Sequence, residues 1–298
     1  MLCDSFFEQG VTHEVCEDYA RHGDDWAVIA DGCSNGGGPR IDTDWGARLL
    51  CVSAAQNLTL PPLDFVFGTA RTAGIRYDSL SPLIPPEAMC ATLALVRQFD
   101  NAFQAILIGD GIAGGRMRSG KWFIHSVEFA SGAPYYLQYH MFNQNEHWSE
   151  LFGKSYSVRT YVGNLFDDRL PDISEEAWPT KDQREEEWRS IMGCCTRCQD
   201  WDIPYEFFGF PLDEFDFAFV ASDGPHSFYL PRKTKTTKNN EPVHFLDVLR
   251  VLLDIRNFRP GFMRLQRHWN FKQDRPGTFK RRNWLNGDDV SIGAVYCG

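Results

Sequence analysis

Three times along this 298-residue chain an apolar run stops on an aspartate followed at once by glycine: WAVIADG at 26–32, FQAILIGDG at 103–111 and FDFAFVASDG at 215–224. Short apolar runs rich in β-branched and aromatic residues, closed by glycine, read as buried strands. A single Asp-Gly after a strand is most often only a turn, because both residues favour turn geometry. Three of them, together with the acidic pairs Glu17–Asp18 (CEDYA) and Asp288–Asp289 (DDVSI), constrain the fold more tightly. If the strand ends converge, several carboxylates meet at one rim and need cations to stay ionised. Hard oxygen ligands without His or Cys partners favour Mg²⁺ or Mn²⁺ over Zn²⁺.

The glycine-rich stretch AVIADGCSNGGG (27–38) raises the alternative of a phosphate-cradling loop. Its glycines follow an aspartate and lack a Gly-Lys-Ser/Thr ending that opens a helix, so the parts of a nucleotide loop are missing.

The remaining segments set the layers. TDWGARLLCVSAAQNL (43–58) and PPLDFVFGTARTAGIRY (61–77) carry apolar residues at helical spacing. CATLALVRQFD (90–100), FQAILIGDG (103–111), GGRMRSGKWFIHSVEF (114–129) and YYLQYHMF (135–142) read as strands joined by short turns, an antiparallel meander. The stretch from about 143 to 214 is less regular, with a helix candidate at 180–195, and reads as a surface-exposed flap or insertion. VHFLDVLRVLLDIRNF (243–258) is a periodic helix behind the polar loop KTKTTKNNEP (233–242), and DDVSIGAVYCG (288–298) is a final strand. Strands in meanders with helices grouped in blocks predict an α+β fold: a β-sandwich of two antiparallel sheets flanked by helices. No Pro/Ser/Gly-rich linker divides the chain, so residues 1–298 are expected to form a single domain.

Composition excludes some functions. A formal net charge of −10 and a pI near 5.3 disfavour a broad contact with a phosphate backbone, so nucleic acid is not an expected partner. Neither a signal peptide nor an eighteen-residue apolar run is read, which predicts a cytoplasmic protein with no membrane partner. The nine cysteines are an odd, scattered set and read mainly as small buried hydrophobes.

The ordered set CEDYA, VIADG, a helix with Gly46–Ala47, CATLALV, ILIGDG, FVASDG and DDVSI resembles the metal-dependent protein phosphatases of type 2C, the PPM family. Gly10 to His13, a Gly-x-x-His stretch ahead of the acidic pair, points to the divergent bacterial branch. The resemblance implies a two-metal centre at one end of the sandwich, holding Mn²⁺ or Mg²⁺. By motif position Asp31 would bridge both ions, with the Gly32 carbonyl and Glu17 serving the second. Asp223 and Asp288 would complete the first. Asp18 would hold metal-associated water, Asp110 would contribute to a weaker third ion, and Thr92 would support the neighbouring strand. Two such ions can share a water, lower its pKa and aim the hydroxide in line at phosphorus. The implied substrate is phosphoserine or phosphothreonine in a protein, and a Ser/Thr kinase acting on the same target is the implied counterpart.

The departures from the family pattern are local. His13 stands where many members carry a phosphate-gripping arginine; it either binds phosphate when protonated or is structural. Arg21 and Arg40 are alternative clamps. Cys33 occupies the place of a leaving-group histidine, and Ser227 that of a further acidic residue. CCTRC (194–198) is half of a zinc or redox spacing without its second half. Trp178, Trp188 and Trp201 read as packing, and KRRNW (280–284) as a solvated loop or an acidic-peptide contact. A catalytically weak protein that uses the same fold to bind phosphoprotein or a partner is the alternative that His13 and Cys33 suggest.

Overall fold

A computed structural model describes residues 1–10, 13–33, 44–81, 83–152, 156–165, 203–230, 241–253 and 285–297. Two antiparallel sheets form its centre. One holds six strands in the order β1 (Leu2–Glu8), β14 (Val290–Tyr296), β10 (Phe215–Ala221), β6 (Gly111–Met117), β7 (Trp122–Phe129) and β8 (Tyr156–Gly163). The other holds five: β2 (Tyr19–His22), β3 (Trp26–Gly32), β4 (Ala91–Phe99), β5 (Ala102–Ile108) and β9 (Glu206–Pro211). A small three-stranded sheet pairs β11 (Phe228–Leu230) with β12 (Glu241–Pro242) and β13 (Leu285–Asn286).

The alternation of side chains along β10 shows why its sequence is nearly continuously apolar. Ala218 and Val220 join the core between the sheets, where they meet Val28, Ala30 and Val295. Phe217, Phe219 and Ala221 point to the opposite face, into a second core with Trp122, Ile292 and the helix α5 (Phe245–Leu252). A strand buried on both faces is apolar nearly throughout, and its one polar residue, Asp216, lies near its start at a register irregularity, ion-paired with Arg116. On the far side of the five-stranded sheet, α1 (Asp44–Ala54) packs over β2, β3 and β4, and α2 (Pro62–Leu80) packs against α1. The observed architecture is therefore the expected α+β sandwich with helices outside.

Several segments depart from the sequence reading. YYLQYHMF is not a strand: residues Leu137–Met141 form the short helix α3. Its aromatics are spaced for a helix, since Tyr135 and Tyr139 lie 5.7 Å apart and both rings meet Trp148. The run 114–129 is two strands, β6 and β7, reversed by a turn in which the Gly120 N–H donates to the Met117 carbonyl at 2.9 Å. The stretch 143–214, read as irregular, supplies α4 (Asn145–Phe152) and an edge strand to each sheet: β8 pairs with β7, and β9 with β5. The opening strand β1 and the short β2 were not foreseen. The helix candidate at 180–195, CCTRC, KRRNW, Arg40, Trp178, Trp188 and Trp201 lie outside the described residues. Among the described residues no helix is long and apolar enough to cross a membrane.

Candidate metal centre

Strand register carries the acidic motifs to one end of the sandwich. In the five-stranded sheet Tyr19 lies opposite Ala30, Asp31 opposite Thr92, and Leu93 opposite Ile108. The start of β2, the end of β3 and the end of β5 thus share an edge. In the six-stranded sheet Ala221 faces both Ile112 and Ile292, so the start of β6, the end of β10 and the start of β14 share theirs. Glu17–Asp18, Asp31, Asp110, Asp223 and Asp288–Asp289 sit at or next to these ends.

Asp110 needs a special turn. Gly109 and Gly111 on either side have φ of +96° and +142°, in the left-handed region that side chains disfavour. A Cβ on Gly109 would come within 2.7 Å of Thr92 Cγ2, so this turn and the Thr92 that faces Asp31 are packed together.

The carboxyls perturb one another. Burial raises Asp31, and Asp18, Asp223 and Asp288 add to the effect. Burial also raises Asp18, with Asp289 and Asp223 contributing repulsion. Asp223 is raised by burial and then by Asp288. Asp110 is raised to about 7 by burial and by Asp223. Asp288, half-exposed, is raised by burial but held back by the Asp289 N–H, which donates to its Oδ1 at 2.9 Å, and by His13. The structure therefore brings Asp18, Asp31, Asp110, Asp223 and Asp288 into one electrostatic group.

Asp289, to which the sequence reading gave no role, holds the other half together. Buried in the interior, its Oδ1 accepts from the Gly10 N–H at 2.6 Å and its Oδ2 from the Glu17 N–H. That joins the N-terminal acidic motif to the C-terminal one. Gly10 fits there because a Cβ would lie 2.6 Å from the Asp288 carbonyl oxygen. The hydroxyl of Ser227 makes a second tether, accepting from the Asp288 N–H at 3.0 Å and donating to the Gly224 carbonyl at 2.7 Å. This residue is a brace between the Asp223 turn and Asp288. A sequence signal for Asp289 was present, since the acid directly follows another acid at a strand start, but its backbone partners are 279 and 272 residues away.

His13 lies among these carboxyls. Its Nε2 is 3.2 Å from Asp288 Oδ1, and its Nδ1 is 3.2 Å from Asp289 Oδ1 and 3.8 Å from Glu17 Oε2. Arg21 is placed differently, on β2 opposite Val28, where its charge acts on the buried Cys51 of α1.

The donor set fits divalent cations. Asp18 is buried with Asp31 and Ser291 as hydrogen-bond partners, and no ion pair forms to Asp18, Asp31, Asp110 or Asp223 among the described residues. Desolvated, mutually repelling carboxyls of this kind are stabilised either by protons or by cations. Oxygen-rich sites of that hardness suit Mg²⁺ and Mn²⁺.

Fold and centre together define an α+β sandwich with a buried acidic cluster at one end. No family model matches the chain, and no curated protein matches it. Among solved structures it is similar to a bacterial serine phosphatase at 12% identity and a TM-score of 0.48, with 99% of this chain and 97% of that one covered. It is similar also to the serine/threonine phosphatase of S. agalactiae, at 12% identity and a TM-score of 0.47 over 99% of both chains. The Mycobacterium tuberculosis serine/threonine phosphatase PstP/Ppp matches at 11% identity and a TM-score of 0.43, over the whole of both chains.

Proposed function

We propose that this protein is a metal-dependent phosphatase that removes phosphate from phosphoserine or phosphothreonine in proteins. One observation carries the reading: acidic motifs scattered from Glu17 to Asp289 are drawn to one end of the sandwich, where the carboxyls of Asp18, Asp31 and Asp223 are desolvated and repel one another. Two divalent cations, Mn²⁺ or Mg²⁺, would supply positive charge for the phosphoryl oxygens and activate water as the nucleophile. Asp31, whose carboxyl interacts with both Asp18 and Asp223, would serve both ions. Asp223 and Asp288 would complete one ion; Glu17 and the Gly32 carbonyl would serve the other. Asp18 would hold water at the ions, and Asp110 would add a weaker third position.

His13 supports orientation of the Asp288 and Asp289 carboxyls, and when protonated its charge lies close enough to the centre to meet a phosphate. We place the protein in the cytoplasm, as one domain, with a phosphoprotein substrate and a Ser/Thr kinase as counterpart. Hydrolysis of p-nitrophenyl phosphate by the full chain tests this. Turnover is expected with Mn²⁺, with none in EDTA and a loss of at least about a hundredfold in Asp31→Asn. Equal turnover in EDTA, or an unaffected Asp31→Asn, contradicts it.

A further inference from the structure

Cys33 and Cys90 face each other where β3 and β4 reach the acidic rim. The register pairs Gly32 with Ala91, and one step further sets Cys33 across from Cys90. The Cys33 N–H donates to the Cys90 carbonyl at 2.9 Å, which continues the ladder to this pair. Directly opposed residues of an antiparallel ladder send their side chains to the same face. The Cys90 N–H turns away to the Glu87 carbonyl at 3.2 Å, so the pair closes the ladder with a single bond. Its Cα atoms lie at the end of strands spaced about 4.5–5.5 Å apart, near enough for Cys33 to act on the Cys90 thiol. A disulfide spans Cα separations of roughly 4.4–6.8 Å, so the backbone already meets its main geometric demand.

The surroundings separate this pair from the other cysteines. Cys33 and Cys90 are reduced and partly exposed, like Cys16 and Cys297 and unlike the buried Cys3 and Cys51; what sets them apart is that they adjoin one another on neighbouring strands. α3 covers both thiols from one side: the Gln138 Nε2 amide donates to Cys90 Sγ at 2.6 Å, and Tyr136 hydrogen-bonds Cys33. On the other side Cys33 is within the field of Glu17, Asp110 and Asp288. It directly follows Gly32.

We propose that Cys33 and Cys90 are an oxidisable pair that closes to a reversible disulfide beside the carboxylate cluster, with hydrogen peroxide as the oxidant. One cysteine, having lost its proton to solvent, attacks peroxide as the thiolate, breaking the O–O bond to leave a sulfenic acid and hydroxide, which takes up a proton as water. The second sulfur then displaces hydroxide from the sulfenic sulfur, forming the S–S bond and a second water. The balance is two thiols and one peroxide to one disulfide and two waters. A dithiol reductant reverses it. The bridge ties the Asp31–Gly32 end of β3 to the start of β4 without a change of register.

The test is peptide mapping of the folded, metal-free chain after peroxide, with remaining thiols alkylated before digestion. Wild type is expected to lose two alkylatable thiols per chain and to yield a Cys33–Cys90 linked peptide that disappears with dithiothreitol. In Cys90→Ser, Cys33 is expected to remain unbridged and to accumulate a dimedone-reactive sulfenic acid. The proposal is overturned if Cys33 and Cys90 stay fully alkylatable, if they pair with other cysteines instead, or if the link forms only after unfolding in urea. None of these readouts depends on phosphatase activity.

Discussion

Asp110 offers a stability measurement that probes the acidic centre without a substrate. Glycines with positive φ on both sides fix it between β5 and β6, and burial with repulsion from Asp223 raises its carboxyl from 3.8 to about 7. Every tenfold change in a proton-binding constant corresponds to about 1.4 kcal/mol, so this rise places an upper figure of about 4 kcal/mol on the cost of the ionised form in the metal-free protein. The folded-state value is the raised one, so folding favours the neutral acid. That contribution is intact below the unfolded value of 3.8 and is lost as pH rises through about 7. Asp110→Asn removes the titration and nearly keeps the shape. Urea unfolding in EDTA, followed by tryptophan fluorescence, should show variant and wild type equal near pH 4 and the variant more stable by about 1–3 kcal/mol at pH 8. Excess Mn²⁺ should close the gap by stabilising the wild type. A difference that does not change with pH, or a variant less stable at pH 8, refutes the strain assigned to this carboxyl.

Other variants test the scaffold around the centre. Asp289→Ala leaves the Gly10 and Glu17 amides without their acceptor, and with hydrogen bonds to a charged group worth about 1.5–3 kcal/mol each it should cost roughly 3 kcal/mol in urea unfolding. Ser227→Ala removes the brace between Gly224 and Asp288 and should cost about 1 kcal/mol by the same measurement. His125, buried against Phe208 at a ring separation of 4.3 Å, has its pKa lowered from 6.5 to about 3 by burial. Its imidazole resonances should stay flat from pH 8 down to 5, and the stability it contributes is lost only as pH falls from 6.5 towards 3.

How much of this was legible in the sequence follows from range. The apolar runs that end on Asp31, Asp110 and Asp223 announced both their strands and their acids, because burial on two faces leaves a local signature. The helices α1 and α2 were visible for the same reason. YYLQYHMF fits a strand by its alternation over a few residues, while the packing of Tyr135 edge-on and Tyr139 tilted against Trp148, which accompanies the helix, is a tertiary contact. β1 escaped notice because it is an edge strand whose meaning lies in pairing with β14, almost the full chain length away. The anchoring role of Asp289 was hidden likewise: its partners are backbone amides near the other terminus. His13 could be located by motif, but its contacts with Asp288 and Asp289 exist only once both ends of the chain meet.

The most direct test of the central claim is a crystal of the full chain soaked with Mn²⁺ and measured for anomalous scattering. Two peaks are expected, both in contact with Asp31, one also reaching Asp223 and Asp288 and the other Glu17 and the Gly32 carbonyl. An absence of peaks at saturating Mn²⁺, or a peak held by His13, Glu17 and Asp289 with Asp31 uninvolved, would contradict the metal-dependent phosphatase reading.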